Sequence, residues 1–329
     1  MPIQSSDFVW RRSQTVSDST AAMNGGRMSS TAIPSDTRGA LFNDVTQAQR
    51  DNGAVHWRKA FIHVASDNNI ELLDAKVYVS EPTPGDDFVT LHPGTQSDTQ
   101  DAVSARAYGA GALYTDAAPG ASIITVAPDG VGNLGSLDPF QPGDVIRISD
   151  GANTEFHTLS GVTDAGDHLS LSLDGTTLEY GYTQANDTIV SSVIEQASVV
   201  ASISNVVTTT ANGVIDDTLI TANNKGAVVD AITLTFTSTT NFTAEGAVLG
   251  DLGVGTIGAT FSPSNSAVSA PYFWIPSTAW TGTWQVGDTV EFNLSPASIP
   301  IWYRREVPAG SGSLADNSVV VGITGESAE

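Results

Sequence analysis

Apolar and polar residues alternate along much of this chain, and the alternation is clearest near its C-terminal end. Apolar side chains recur at every second position over 299–303 and again over 319–323. Period two is the spacing of side chains on one face of a β-strand, so each run predicts a half-buried strand. Pro308, Gly310 and Gly312 lie between the two runs. The segment therefore predicts two antiparallel strands joined by a loop.

Two similar runs lie far upstream, at 57–64 (WRKAFIHV) and 70–79 (IELLDAKVYV). The turn-rich segment 66–69 separates them, which predicts a strand pair. Because two strands cannot bury an apolar face alone, we expect the upstream strands to pair with the C-terminal ones. Both ends of the chain would then close one sandwich, with the middle of the chain inserted into it.

The other patterns extend this prediction to the whole chain. Short strands separated by turn residues, with no long helical periodicity, predict an all-β protein. The expected fold is an immunoglobulin-like β-sandwich formed by both chain ends, with inserted β-barrel or sandwich domains and an extended N-terminal arm. The predicted divisions are the arm (1–37), the discontinuous sandwich (38–107 plus 295–329), an inserted β-domain (108–207) and a second inserted β-region (208–294).

Two local patterns make finer predictions. A short helix is expected within 43–52, with Asp44 as its cap and Asn52-Gly53 at its end. The sequences QPGD (141–144) and QVGD (285–288) each precede an alternating run. Gly-Asp favours tight bends, so a shared turn explains this similarity more simply than a duplicated domain, although duplication remains an alternative.

Composition and charge narrow the classes of function. The 329 residues include no cysteine, which excludes disulfides and thiolate metal sites. The net charge is -23, although seven of the thirteen basic residues fall within 1–59. An acidic body repels nucleic acid, so we expect no nucleic-acid partner. The less acidic N-terminal segment either lies against an acidic neighbour or belongs to a simply solvated surface.

The chain has no stretch that resembles a membrane span or an export signal. No run of 18 apolar residues occurs, and the segment MPIQSSDFVWRR has no apolar core. The sequence therefore predicts no membrane partner and synthesis in a cytoplasm.

The sequence contains no strong motif for a catalytic, phosphate-binding or metal-binding site. The histidines do not have the spacing of zinc ligands, and no nucleophile or phosphate-binding motif occurs in a suitable context. We expect no catalytic residue, no cofactor and no metal. Two alternatives stay open: a catalytic carboxylate pair, for example Asp86-Asp87, and a calcium site in the loop Asp67-Asn68-Asn69.

Aromatic and arginine residues supply the candidate binding positions, because Trp, Tyr and Arg dominate protein interfaces. The predicted interface residues are Phe8, Trp10, Trp57, Arg58, Trp302, Tyr303, Arg304 and Arg305. Local pairing of the arginines with acids is the simpler alternative. A second set could form a sugar-binding platform, although such residues are more often core residues. This set comprises Tyr272, Trp274, Trp280 and Trp284.

Two segments of the chain, 42–59 and 300–310, carry a family resemblance. Residues 42–59 have the pattern F-x-D-V-x-x-x-(E/Q)-x-x-x-G-x-x-x-(Y/W)-R-K, and residues 300–310 have P-x-W-x-R-R-x-V-P-A-G. With their surroundings, about a third of the chain resembles a family of tailed-phage and prophage virion structural proteins. The resemblance implies a particle component with an immunoglobulin-like sandwich, and it brings no catalytic residues.

The sequence as a whole thus predicts a non-enzymatic structural component of a tailed bacteriophage virion, made in the host cytoplasm. Its expected partners are other virion proteins and copies of itself in a homo-oligomer. A position in the viral tail near the baseplate is favoured over a capsid decoration or cement protein. The alternatives from other classes are a glycan-binding module or glycan-degrading enzyme of a phage tail, and a bacterial surface adhesin.

Overall fold

The computed structural model describes residues 2–18, 24–128 and 137–328, and it is all-β. Parts of the predicted arm, of the first inserted domain and of the last segment (residues 1, 19–23, 129–136 and 329) lie outside the described residues. The strands are β1 (Phe8–Thr15), β2 (Gly25–Ala32), β3 (Ala54–Val64), β4 (Leu72–Glu81), β5 (Phe88–Pro93), β6 (Ala110–Leu113), β7 (Ile123–Pro128), β8 (Val145–Ser149), β9 (Thr154–Asp164), β10 (Leu169–Leu173), β11 (Ile189–Ser192), β12 (Ile194–Val199), β13 (Ser202–Thr209), β14 (Asn212–Ile215), β15 (Thr221–Ala222), β16 (Asp230–Phe236), β17 (Asn241–Gly246), β18 (Gly250–Thr256), β19 (Ser264–Asn265), β20 (Ala270–Pro271), β21 (Phe273–Trp274), β22 (Trp280–Thr283), β23 (Thr289–Ser295), β24 (Ser298–Val307) and β25 (Val320–Ser327).

The helices are short. The described residues hold the α-helix α1 (Gln47–Asn52) and 3-10 turns at Ser5–Asp7, Gln100–Ala102, Gln184–Asn186, Asp217–Leu219 and Ser277–Ala279. Among the residues that can be described, no helix has the length and apolar content needed to cross a bilayer. Thr46, and not Asp44, caps α1: its hydroxyl accepts from the Gln49 amide. Gly53 ends the helix with φ 79°, as the sequence predicts.

Both ends of the chain do pair in one sandwich-like arrangement. Sandwich sheet 1 has the strand order β2-β1-β3-β24-β5, and sandwich sheet 2 has the order β12-β4-β25. β24 runs antiparallel to β3 from Ser298 opposite His63 to Val307 opposite Ala54. In the second sheet β25 pairs with β4. Apolar side chains of both sheets meet in one buried core, as the alternating pattern requires.

The predicted neighbour pairs are wrong in one respect. β3 and β4 do not pair with each other, and neither do β24 and β25, since the members of each couple lie in different sheets. Their inward residues explain this: Ile62 of β3 and Val77 of β4 are both fully buried in the shared core. Two strands that each carry one apolar face bury it better by facing each other across a sandwich than side by side.

The predicted N-terminal arm is also corrected by the structure. Most of the described part of 1–37 is built into sandwich sheet 1, where β1 pairs with β3 from Phe8 opposite Val64 to Arg12 opposite Ala60. β2 then pairs with β1. The segment has no apolar pattern because the buried residues among its described positions are Arg11, Ser13, Asn24 and Gly25, which a hydrophobicity pattern does not register.

The first inserted unit is a closed six-stranded barrel of order β10-β7-β6-β11-β8-β9, here called the barrel. It has a hydrophobic core of its own that includes Ile146, Leu171 and Val190. The barrel ends at Ser192, before the predicted boundary at 207, because β12 returns to pair with β4.

The second inserted unit, here called the aromatic unit, is a five-stranded sheet of order β13-β23-β16-β17-β18 with three two-stranded ladders, β14-β22, β15-β21 and β19-β20. Its core is continuous with that of the sandwich. It begins at β13, before the predicted boundary at 208.

The barrel contacts the C-terminal part of β4, and the aromatic unit contacts the loop that precedes β4. On the barrel side, the Ser191 hydroxyl donates to the carbonyl of Val79. On the other side, the side-chain amide of Asn224 donates to the Ser66 hydroxyl at 3.1 Å and to the Ile70 carbonyl at 2.9 Å. The sandwich built from the chain ends is therefore flanked by the barrel and by the aromatic unit.

Candidate interaction surfaces

Lys59 and Trp302 lie at the centre of sandwich sheet 1, opposite each other on β3 and β24. The Lys59 side chain is fully buried, and its Nζ lies 2.6 Å from Oδ1 of Asp98. It also donates to the Gly26 carbonyl at 2.7 Å, while Nε1 of Trp302 donates to Oδ2 of Asp98 at 2.7 Å. These bonds hold the loop after β5 and the start of β2 on the sheet.

The charge state of Asp98 follows from this arrangement. Burial raises the pKa of Asp98, but hydrogen bonds from Lys59 and Trp302 and the Lys59 charge outweigh burial, so the pKa stays below its usual value. The carboxylate is therefore ionised near neutral pH. Trp302, predicted as a subunit anchor, instead fastens an internal loop.

Arg58, Tyr303 and Arg305 also make internal contacts, on the other face of the same strands. Each is at most 9% exposed. Arg58 pairs with Asp18 and donates to the carbonyl of Leu41. Arg305 donates to the Asn43 carbonyl at 3.0 Å. The expectation that these three side chains anchor a neighbour gives way to an internal role: Arg58 and Arg305 hold segments 17–18 and 41–43 of their own chain, and Tyr303 lies in the buried core.

Arg304 and Trp57 are less deeply placed. Arg304 pairs with Glu306 at 2.5 Å, and its guanidinium lies 5.9 Å from the centre of the Trp57 ring. Trp57 is half-buried and borders a shallow cleft of about 310 Å³. The cleft is lined by Trp57, His92, Gln100, Val103, Ser104, Ala105 and Leu137. Burial lowers the pKa of His92 to about 4, so this histidine is neutral near pH 7.

The predicted sugar platform is also largely internal. Trp284 is 1% exposed and stacks on Phe236 with ring centres 4.3 Å apart, and Trp280 is 7% exposed. Tyr272 and Trp274 are half-buried. A sugar needs an accessible ring face, so Trp280 and Trp284 form the core of the aromatic unit and not a platform.

The polar loops considered for calcium binding (Asp67-Asn68-Asn69) and for a catalytic carboxylate pair (Asp86-Asp87) make contacts within the chain. Asp67 pairs with Lys225 at 2.8 Å. The Asn69 side-chain carbonyl accepts from the backbone amide of Asn224. Asp86 accepts from the amide of Gly312 in the loop before β25. Among the residues that can be described, no group of three or more His, Asp or Glu side chains is arranged to hold a metal ion.

A third polar cluster lies on the barrel. The Glu155 carboxylate accepts from the amides of Glu179 and Tyr180 and contacts Nε2 of His157 at 2.8 Å, and Nδ1 of that ring lies 2.9 Å from the Thr176 hydroxyl. Sequence spacing gave no sign of this cluster. Its bonds tie the loop 174–180 to β9.

Most of the basic residues of the N-terminal segment bind groups of their own chain. Arg11 donates to the Ser30 carbonyl and Arg12 to the Ala40 carbonyl. Arg58 and Lys59 are buried in the ion pairs described above. The segment therefore presents less positive charge than its composition indicates, while the chain as a whole carries a net charge of -23.

An accessible apolar groove lies along the edge of the sandwich, between β1 and β25. We call it the β25 groove, and its volume is about 420 Å³. Phe8 and Trp10, two of the predicted interface residues, line it from β1, and Val321 and Ile323 line it from β25. The groove is completed by Ile3, Ser5, Leu72, Gly322, Thr324, Gly325 and Ser327.

β25 also leaves backbone groups unpaired. In the part of the chain that the structure describes, its one strand partner is β4. At its start the Val320 carbonyl accepts from the Ser80 hydroxyl at 3.2 Å, and near its end the Ile3 amide donates to the Ser327 hydroxyl at 2.8 Å, so the free edge runs over 321–325. The alternation over 319–323 predicts this strand, but sequence alone does not show that it lies at an edge beside β1.

The comparisons with known proteins add no relative. A scan against protein-family models, a search of curated proteins and a search of solved structures each found no match for this chain.

Proposed function

We propose that this protein is a non-enzymatic structural component of a tailed bacteriophage virion. In this proposal the sandwich built from the chain ends is an immunoglobulin-like assembly domain, and the barrel and the aromatic unit are carried on it. Its partners are other virion proteins and copies of itself, and a position in the tail near the baseplate is favoured over capsid decoration.

The observation that carries the proposal is the free edge of β25 beside the β25 groove. A strand with unpaired backbone groups next to half-buried apolar side chains is suited to pairing with another chain. Phe8 and Trp10 line this groove, so an accessible apolar site on the sandwich includes two residues expected to bind a neighbour.

The family resemblance of 42–59 and 300–310 supports the same proposal. Both segments lie in the pairing of β3 with β24 and in the contacts of Arg58 and Arg305 that surround it. The motif residues are therefore those that close the sandwich from the two chain ends. The glycan alternative depends on Tyr272, Trp274, Trp280 and Trp284, and the burial of Trp280 and Trp284 removes two of these four rings from a surface platform.

The proposal is tested by purifying particles from cells that express this chain together with its neighbouring phage genes. Mass spectrometry of particles banded on a density gradient should find the chain in constant proportion to the major virion proteins. Separated tails should retain it and separated heads should not. If the chain stays in the soluble fraction and is absent from particles, the proposal is wrong.

A further inference from the structure

We infer that Lys59 and Asp98 become joined by an amide bond between Nζ of the lysine and Cγ of the aspartate, with the loss of one water molecule. The bond ties β3 to the loop after β5. In a chain without cysteine it supplies a covalent link that no disulfide can provide. This inference goes beyond the proposed virion role and does not depend on it.

The two reacting groups are held in contact and away from water. The exposed fraction is 0% for the Lys59 side chain and 7% for the Asp98 side chain, and Nζ lies 2.6 Å from Oδ1. Since Cγ is one carbon–oxygen bond of about 1.2 Å from Oδ1, it lies within about 3.8 Å of Nζ. Well-oriented groups in one molecule reach effective concentrations of about 10⁵–10⁸ M, which favours a condensation between them.

Burial brings the uncharged, reactive form of the pair within reach. The rings of Phe61 and Trp302 exclude water around Nζ, with their centres 4.8 Å and 5.8 Å away. Burial also lowers the pKa of Lys59, although the neighbouring Asp98 carboxylate acts in the opposite direction. The ion pair and the pair of neutral amine and carboxylic acid differ only by the position of one proton, which moves from Nζ to Oδ1.

The atoms balance without any other reactant. After that first proton transfer, the amine lone pair attacks Cγ, and one electron pair of the carbonyl bond moves onto Oδ2. Nε1 of Trp302 donates to Oδ2 at 2.7 Å and stabilises the negative charge that develops there. A second proton then moves from Nζ to Oδ1. The bond between Cγ and Oδ1 breaks, Oδ1 leaves as water, and the carbonyl at Oδ2 forms again.

The contacts that hold the ion pair also fit the amide. The amide keeps one N–H, and the Gly26 carbonyl, 2.7 Å from Nζ, is its acceptor. The amide carbonyl oxygen, formerly Oδ2, keeps the hydrogen bond from Trp302. Two buried charges disappear in the reaction, and with them the cost of keeping those charges away from water.

A second lysine–aspartate pair in the same chain is a matched control. Lys225 lies 2.8 Å from Asp67, but these side chains are 35% and 85% exposed. Water solvates both charges, so the uncharged pair is not favoured and no amide should form between them.

Mass spectrometry of the intact full chain is the first test. The wild type should be lighter than its sequence, after any removal of Met1, by the mass of one water molecule. Lys59→Arg keeps a cation opposite Asp98 but has no primary amine, so this variant should have its full sequence mass. A wild type of full sequence mass, or a variant that loses water equally, would overturn the inference.

Digestion of the denatured wild type with trypsin then locates the bond. Trypsin should cut after Lys225 but not after Lys59, and one branched peptide should contain both Lys59 and Asp98. Water lost at an Asp-Gly step such as Asp150-Gly151 gives an unbranched peptide, and finding only such a peptide would overturn the inference. The digestion needs no variant, so its result does not depend on whether Lys59→Arg folds.

Discussion

Lys59 shows how a charged residue is used inside sandwich sheet 1. Its ammonium group is buried against Asp98, and the same carboxylate accepts from the Trp302 indole. A buried pair of this kind adds little net stability compared with apolar residues of the same shape, but the loss of one partner leaves an uncompensated charge. The pair therefore acts mainly as a specific fastening between β3, β24 and the loop at Asp98.

Replacing the buried lysine tests that role. Lys59→Met should lower the free energy of unfolding by about 3–5 kcal/mol, because Asp98 is left buried without its cation. Chemical denaturation measures the change. The control is Arg38→Met, which removes an exposed ion pair with Asp44 and should have little effect. Equal effects of the two variants would contradict the fastening role.

His63 makes the fold sensitive to acid. Its Nδ1 accepts from Nε of Arg11 at 2.9 Å, and its Nε2 donates to the Asn224 carbonyl at 2.7 Å, so the ring is neutral. Burial and the charge of Arg11 lower the pKa of His63 to about 4, although the Asn224 carbonyl acts against them. The contribution of His63 to stability is therefore complete above pH 6.5 and is lost as the pH falls toward 4.

The free energy of unfolding is expected to fall by about 2 kcal/mol between pH 6.5 and pH 5. In this range His63 binds a proton in the unfolded chain but stays neutral in the folded chain. Denaturation curves at both pH values should show this loss in the wild type and a smaller one in His63→Gln. An identical pH dependence in the two proteins would show that His63 is not the group responsible.

Trp284 decides between the core and the sugar-platform interpretations of the aromatic unit. Trp284→Ala should lower the free energy of unfolding by about 3–5 kcal/mol, since it leaves a large cavity against Phe236. The nearby Val286→Ala is the control, since Val286 is 74% exposed and its loss should change stability by less than about 0.5 kcal/mol. A Trp284→Ala protein of unchanged stability would contradict the core assignment.

The sequence predicts inward apolar residues better than the positions of aromatic and charged ones. Alternation places Ile299 and Ile301 on the buried face, and both are buried. Trp302 alternates with them and would be exposed on an open sheet. It is buried because the loop after β5 covers the second face of the sheet. The local sequence pattern around Trp302 does not indicate that a distant loop covers this face.

At the scale of elements, the existence of strands follows from sequence more readily than their pairing. The pairing of β3 with β24 is predicted because each needs a partner, whereas the assignment of β4 and β25 to the second sheet depends on the whole core. β12 pairs with β4 although it follows the barrel directly. Its residues IEQASV carry little alternation, so its position is visible only in the structure.

The two Gln-x-Gly-Asp segments form the same turn in different surroundings. In each, the glycine has a φ near 90° and the aspartate carboxylate accepts from the glutamine amide, at 2.6 Å for Asp144 and 2.9 Å for Asp288. One turn leads into β8 of the closed barrel and the other into β23 of an open sheet. A shared turn therefore explains the similarity of the two segments, as the simpler of the two sequence-based interpretations predicts.

Hydrogen exchange tests how strongly the amides of each strand are protected. Amides of β3 and β24 should exchange slowest, because both strands are paired on each side in sandwich sheet 1. Amides of β25 that point away from β4 should exchange fast, because no strand of the described part of the chain pairs with them. Mass spectrometry of the exchanged protein measures both. Protection of these outward-pointing β25 amides as strong as that of β3 would contradict the free edge.

At the scale of the whole molecule, the described residues form two hydrophobic cores. The barrel has its own core, while the sandwich and the aromatic unit share the other. Sequence predicts inserted β-units, but it does not show which of them is independent, because shared burial depends on contacts between distant residues such as His63 and Asn224. A sandwich flanked by two inserted units leaves β25 as its accessible apolar edge.

The most direct test of the central proposal is cryo-electron microscopy of intact particles that contain this chain. We predict density for the sandwich, the barrel and the aromatic unit at a symmetric position in the tail, with the β25 edge covered by another subunit. Particles in which no density fits this chain, while the protein remains soluble and separate, would contradict the proposal that it is a structural component of the virion.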